Sequence, residues 1–313
     1  MNTKTKGYLL GAISAATYGM NPLFTLPLYA DGMNPDSVLF FRYVFGIPIL
    51  GTMLLARGRN FRVSFKQLLI LSALGILFSL SSLFLFQSYN YMDAGIASTI
   101  LFVYPIMVAV IMALFYKEKL TKLTILCMGM AMLGIGLLFK SSNGSTLSFV
   151  GTVLVLASAL SYAIYMVSVN RPILKDIATL KVTFYVLLSG VSLFATRIIV
   201  NDSFQMPTEW YQWGNLICLG LFPTAISLLC TTSAIQYIGS TPTAILGALE
   251  PVTAVVIGVT LFGETLSFRD FMGLILIIVA VTCVIAGGNI TQQLMRIRKL
   301  FPRLPFTKKR NKA

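Results

Sequence analysis

Apolar residues run through this chain in stretches of about 20, the length that crosses a bilayer as a helix. Short polar segments separate them. Ten such runs can be drawn, at 7–28, 36–56, 67–90, 94–116, 121–140, 148–169, 179–200, 212–236, 241–262 and 268–287. None alternates with a period of two. The pattern predicts an all-α integral membrane protein of ten transmembrane helices. The connections are too short to hold a soluble domain. The first run is long enough to span, and no small-residue cleavage site stands out after it, so it is read as the first membrane helix.

The runs repeat. A shift of 146 residues overlays 91–139 on 237–285, pairing Tyr91 with Tyr237, Pro105 with Pro251 and Glu118 with Glu264. A shift of 144 overlays the first run on the sixth, pairing Gly7 with Gly151, Ser14 with Ser158 and Tyr18 with Tyr162. Each unit holds five spans, an odd number, so the second enters the membrane with the opposite orientation. The expected architecture is therefore two inverted five-helix repeats, 1–147 and 148–290, followed by a basic tail, 291–313. Inverted repeats are a common plan for alternating-access transporters, with the site near the midplane.

Composition supports the bilayer as solvent. Of the 313 residues 57% are hydrophobic and 11% charged, against roughly a quarter charged in soluble domains. The net charge of +14 sits between and after the apolar runs, so it sets orientation and does not point to nucleic acid. With the N-terminus inside, twelve lysines and arginines before the tail face the cytoplasm, against Lys140, Arg197 and Arg269 outside. Both termini are expected in the cytoplasm. The four cysteines lie within apolar runs without metal or disulfide spacing, and histidine is absent. No metal, no cofactor and no covalent catalysis are expected.

The candidate chemistry centres on 246–267, LGALEPVTAVVIGVTLFGETLS. Glu250 lies nine residues into its span, roughly 14 Å at about 1.5 Å per residue, near the middle of a core about 30 Å thick. An acid at that depth is costly and reads as functional. Pro251 is expected to kink the helix and leave the Gly247 carbonyl without its helical partner. Tyr104, followed by Pro105, occupies the equivalent place in the first repeat. Arg42 is placed within the second span, where it either snorkels to the surface as an anchor or pairs with Glu250. Tyr18, Asn21, Tyr162, Tyr165, Gln87 and Thr231 are further polar positions inside or beside spans. They line a cavity or, for the tyrosines, an interfacial belt. Glu118 and Glu264 end their spans and read as structural corners, with Thr121 and Ser267 as N-caps of the next helices.

LEPVTAVVIGVTLFGETLS resembles the ninth-span signature of the EamA branch of the drug/metabolite transporter superfamily. YPIMVAVIMALFYKEKLT is similar to the matching fourth-span signature. Where the family often carries tryptophan in its first span, this chain has Tyr18. The resemblance implies a transporter of small organic metabolites, often an exporter of amino acids, in a bacterial inner membrane. It also implies a central cavity lined by spans 1, 3, 4, 6, 8 and 9. The expected function is secondary transport by alternating access, probing a small-molecule substrate, membrane lipid and protons as partners, in a monomer or homodimer. A flippase for a lipid-linked headgroup and an uncoupled facilitator are the alternatives; an enzyme is not expected.

Overall fold

The computed structural model describes residues 3–92, 97, 100–118, 120–138, 148–169, 174, 177–262, 268–269 and 271–283. The described elements are helices α1 (Thr3–Tyr18), α2 (Asn21–Ala30), α3 (Pro35–Ala56), α4 (Phe65–Ser88), α5 (Tyr104–Tyr116), α6 (Lys122–Leu138), α7 (Phe149–Val169) and α8 (Thr179–Asn201). They continue with α9 (Trp210–Leu219), a π-helical segment (Gly220–Ile226), α10 (Ser227–Ile238), α11 (Ser240–Leu246), α12 (Leu249–Phe262) and α13 (Phe271–Cys283). Helices α3, α4, α7, α8 and the continuous α9–α10 unit are each long and apolar enough to cross a bilayer. Large apolar side chains such as Phe65, Phe115, Phe149 and Ile199 are about four-fifths exposed, which water would not tolerate and lipid does.

Local sequence sets the ends. Asn34 caps α3 through its side chain at 2.8 Å from the Ser37 amide, and Ser64 and Gln67 form a capping box on α4. Thr121 caps α6 by accepting from the Thr124 amide at 3.1 Å, as its place in the sequence suggests. The proposed partner cap, Ser267, lies outside the described residues, as does Glu264.

Three spans expected to be single helices are broken among the described residues; the fourth turns at Phe102–Val103 before α5. The first stops at Tyr18 and restarts at Asn21 across Gly19–Met20. Pro22 has no amide hydrogen for the Tyr18 carbonyl, and its ring crowds the preceding turn, so the helix restarts with Pro22 in its first turn. The ninth stops at Leu246 and restarts at Leu249, with Pro251 in the first turn of α12.

The repeat is visible as packing. Spans 1 and 8 form one tight pair, spans 3 and 6 another, and the repeat carries the first pair onto the second. Ser14 donates to the Ser227 carbonyl at 2.9 Å and accepts the reverse bond into its own carbonyl at 3.1 Å. Their counterparts also meet, with Ser158 donating to the Ser81 carbonyl at 2.7 Å and the two hydroxyls 3.1 Å apart, though here the bond to a carbonyl runs one way. Gly7 rests on Tyr237 and Ile238, and Gly151 on Tyr91 and Met92. Two glycine pairs allow close backbone approach between the halves, Gly46 with Gly220 and Gly190 with Gly75. Small residues at matching places thus let the same helix pair form twice.

Spans 2 and 7 lie together and are pinned at both ends. Asp36 takes a two-pronged ion pair from Arg197 at 2.9 and 3.1 Å. At the other end Tyr185 donates to the Phe61 carbonyl at 2.5 Å, and Lys181 to Asn60 and the Arg62 carbonyl at 2.9 and 3.0 Å. At the end carrying Lys6, a cavity of about 420 Å³ opens between α1, α8 and α10, lined by Lys6, Arg57, Arg59, Ser233 and Tyr237 among others.

Candidate functional site

The breaks in spans 1 and 9 meet. A Cβ placed on Gly19 would run into the backbone carbonyl of Glu250 and come within 2.9 Å of Thr253. Only a glycine lets the end of α1 seat against the start of α12 this closely. Glu250 therefore stands in the first turn of a helix that begins inside the bundle, beside the gap in span 1. The N-terminal end of a helix carries partial positive charge, which suits a carboxylate. Tyr18, Tyr104 and Tyr162 all lie within electrostatic reach of the Glu250 carboxylate.

The expected free acceptor next to Glu250 is not there. The Gly247 carbonyl accepts the Glu250 amide at 2.8 Å, a tight turn that replaces the bond Pro251 cannot make. The break instead turns the Ala244 carbonyl toward span 4, where the Tyr104 hydroxyl donates to it at 3.2 Å. A Cβ on Gly247 would collide with that hydroxyl. Tyr104 is thus both a wall of the site and a strut across the two repeats. Pro105 occupies the first turn of α5, as Pro251 does in α12.

The tyrosines do not form a surface belt. Tyr165 is fully buried, and its ring lies parallel to that of Tyr162 with centroids 6.1 Å apart. Tyr162 meets Tyr104 edge-on at 5.0 Å, and Phe78 closes the group at 5.2 Å from Tyr165. Thr231 faces Tyr162 and is bonded to Ser14, and Thr232 lies 3.4 Å from the Tyr165 hydroxyl. Gln87 is not brought into this group. It sits half-buried at the far end of α4, with Asn90 at 3.5 Å. Glu118 also stands apart, at the end of α5, accepting from Thr241 at 3.5 Å where span 9 begins.

Arg42 departs furthest from a surface anchor. It has no exposed surface, and it neither snorkels nor pairs with Glu250. A snorkelling arginine needs a route along lipid, and the side chain here turns instead toward span 8. Its Nε donates to Thr224 at 2.5 Å and its Nη2 to the Pro223 carbonyl at 3.3 Å. The Tyr18 and Phe86 rings lie 5.8 and 5.5 Å from its Cζ. The docking point is the π-helical segment. Pro223 cannot bond the Leu219 carbonyl, so the Thr224 hydroxyl does so at 2.7 Å, and the widened turn frees Pro223's carbonyl for Arg42. Sequence reasoning did not find this segment; Pro223-Thr224 inside an apolar run was its one signal. Asn21 is buried at the start of α2, with neither amide atom hydrogen-bonded.

Comparison with known proteins agrees with this geometry. The EamA-like transporter family matches residues 5–140 and again 149–286. The "Uncharacterized transporter YyaM" of Bacillus subtilis (strain 168) is 22% identical, over 82% of this chain and 87% of its own length. An "Uncharacterized transporter" of Archaeoglobus fulgidus is 27% identical, over 83% and 89% respectively. A solved crystal structure superposes with a TM-score of 0.75 at 19% identity, covering 93% of this chain and 99% of that one, which speaks to the fold. Two consecutive family matches, on a bundle whose halves repeat several contacts, show that the chain is a multi-pass membrane transporter of the EamA-like transporter family.

Proposed function

We propose that the chain is a secondary transporter that exports a small organic metabolite of the amino-acid kind by alternating access, with Glu250 as the polar centre of its site. The observation that supports this best is the meeting of two broken spans, one from each repeat, at Gly19 and Glu250. Broken helices put polar backbone and a carboxylate at membrane depth where they face protein or cargo and not lipid. Tyr18 and Tyr104 from the first repeat and Tyr162 from the second supply flat walls around the carboxylate. The serine-paired units, spans 1 and 8 and spans 3 and 6, can rock against each other about this point with each pair intact.

Glu250 also offers a proton site, so coupling to protons is part of the reading. The boundary between repeats is taken at 147/148, with a basic tail from 291. The distribution of lysine and arginine supports cytoplasmic termini, and the likeness to the family supports a bacterial inner membrane as the location.

The test has two stages. Metabolite distributions are compared between cells with and without the protein. The molecule that changes is then followed into proteoliposomes with and without a pH gradient. A gradient-dependent rate that Glu250→Gln removes is the expected result. Equal rates with and without the gradient would mean an uncoupled facilitator.

A further inference from the structure

Arg42 and the buried face of α2 both carry hydrogen-bond donors that have nothing to donate to. The Arg42 Nη1 is buried without a partner, while Nε and Nη2 are held by span 8. Along α2, Asn21, Thr25 and Tyr29 fall at intervals of four, on one helical face. The Asn21 amide, the Thr25 hydroxyl and the Tyr29 hydroxyl are each buried without a partner. Asn21 and Thr25 are respectively 5% and 1% exposed. Tyr29 belongs to the same neighbourhood as Arg42. Its ring packs edge-on against Phe86 at 6.2 Å, the ring beside the guanidinium, and its hydroxyl lies within electrostatic reach of Arg42.

Buried polar atoms are nearly always satisfied, so unsatisfied ones along one helical face, the last of them beside Arg42, call for an explanation. Their composition is lopsided. Arg42 Nη1, Asn21 Nδ2, Thr25 Oγ1 and Tyr29 Oη can all donate, and only the Asn21 Oδ1 is restricted to accepting. A lone buried cation of this kind is also costly without a negative partner. The chain's own carboxylates do not fill that role among the described residues. Asp36, which lies near Tyr29, is held by Arg197 through both oxygens, and Glu250 makes no ion pair with Arg42.

We infer that Arg42, with Tyr29 of α2, binds the carboxylate of the transported molecule, and that Asn21 and Thr25, further along the same face of α2, bind the polar atoms beside it. The missing component is then supplied by the cargo. A carboxylate accepts from several donors at once, and Arg42 Nη1 and Tyr29 Oη are two free donors in the same neighbourhood. One fixed guanidinium edge with neutral neighbours suits a single negative charge better than a phosphate dianion. The Asn21 oxygen is left to accept from a hydroxyl or amino group beside the carboxylate. Thr224 and the Pro223 carbonyl act as positioning groups that hold the guanidinium with Nη1 free. The inference rests on the transporter reading and adds to it the chemistry of one end of the substrate.

The experiment uses the purified full chain in detergent and follows thermal unfolding with a panel of probes. The panel holds L-amino acids and short-chain fatty acids, each beside its own primary amide, with sodium chloride as the anion control. The expected result is a saturable rise in unfolding temperature with at least one acid and none with its amide or with chloride. Arg42→Lys, which keeps the charge but loses the planar fork, weakens the apparent affinity at least about tenfold, and Arg42→Gln removes the shift. Equal shifts with acid and amide overturn the inference. So do an equal shift with chloride, no shift with any acid, or a shift that persists in Arg42→Gln. The acid-against-amide comparison is made on the unaltered chain, so a variant that fails to fold does not obscure it. Flux measured separately keeps the two readings apart. A chain that moves amides as fast as acids loses the carboxylate site and keeps transport, and one that binds acids without moving them loses transport and keeps the site.

Discussion

Ser14 and Ser227 exchange hydrogen bonds across the contact between spans 1 and 8, each hydroxyl donating to the other's backbone carbonyl. The repeat carries this pair onto Ser158 and Ser81, where the same contact joins spans 6 and 3. Inside a membrane a polar side chain cannot turn to water, so a reciprocal bond between two helices fixes their distance and rotation together. Each pair joins one helix from either repeat. The two contacts are therefore among the points at which the halves hold one another.

The first prediction concerns these pairs. Double-mutant cycles to alanine for Ser14/Ser227 and for Ser158/Ser81 are expected to give coupling energies of about 0.6 kcal/mol each, up to about 1.7 kcal/mol. Unfolding of the purified chain in mixed micelles provides the measurement. Coupling in both pairs supports equivalent contacts, and coupling in only one would mean that the repeat is not matched in energy.

Gly19 is predicted to be intolerant of any larger side chain, because the Glu250 carbonyl and Thr253 already occupy the space a Cβ would take. Gly19→Val is expected to force α1 away from α12 and abolish transport. The small-to-large change costs about 1–3 kcal/mol of stability. By contrast Gly129 and Gly136 have open space around their Cα atoms, and alanine there is expected to leave flux and melting temperature unchanged. Flux and thermal unfolding measured on the same preparations check both.

Arg42→Met separates stability from function. Removing a charge from the membrane interior relieves a penalty of about 2.5–3.5 kcal/mol, against the loss of two hydrogen bonds to span 8. Thr224 keeps its bond to the Leu219 carbonyl, so the π-helical segment retains its own support. The expected outcome is a melting temperature equal to or above that of the unaltered chain, with transport lost. A large drop in melting temperature would make Arg42 a structural residue first.

Much of the fold could be read from runs of apolar residues, because a bilayer leaves the backbone little choice but helices. The repeat was legible in landmarks such as Gly7/Gly151 and Ser14/Ser158. Their partners across the contact, Ser227 and Ser81, were not, since a serine in an apolar run does not show which helix it faces. The broken first span was missed for a related reason. Hydrophobicity continues through Gly19–Met20, and Pro22 alone marks the restart. Glu250 stood out by its depth and charge. The fate of the Gly247 carbonyl did not, because a proline can be met by a kink with a free acceptor or, as here, by a fresh helix start and a tight turn. Arg42 was ambiguous because a long side chain near a span's end can reach either water or the interior. What decided it, the widened turn at Pro223–Thr224, depends on packing that no local pattern encodes.

Transport through a site centred on Glu250 is tested most directly by reconstituting the chain and its Glu250→Gln variant in proteoliposomes and following the metabolite that the cell comparison identifies. The variant keeps the size and shape of the side chain and removes its charge. The predicted result is flux well above empty vesicles for the unaltered chain, accelerated by a pH gradient, and flux near the empty-vesicle rate for Glu250→Gln at an unchanged melting temperature. Full, gradient-responsive flux in the variant would contradict the account.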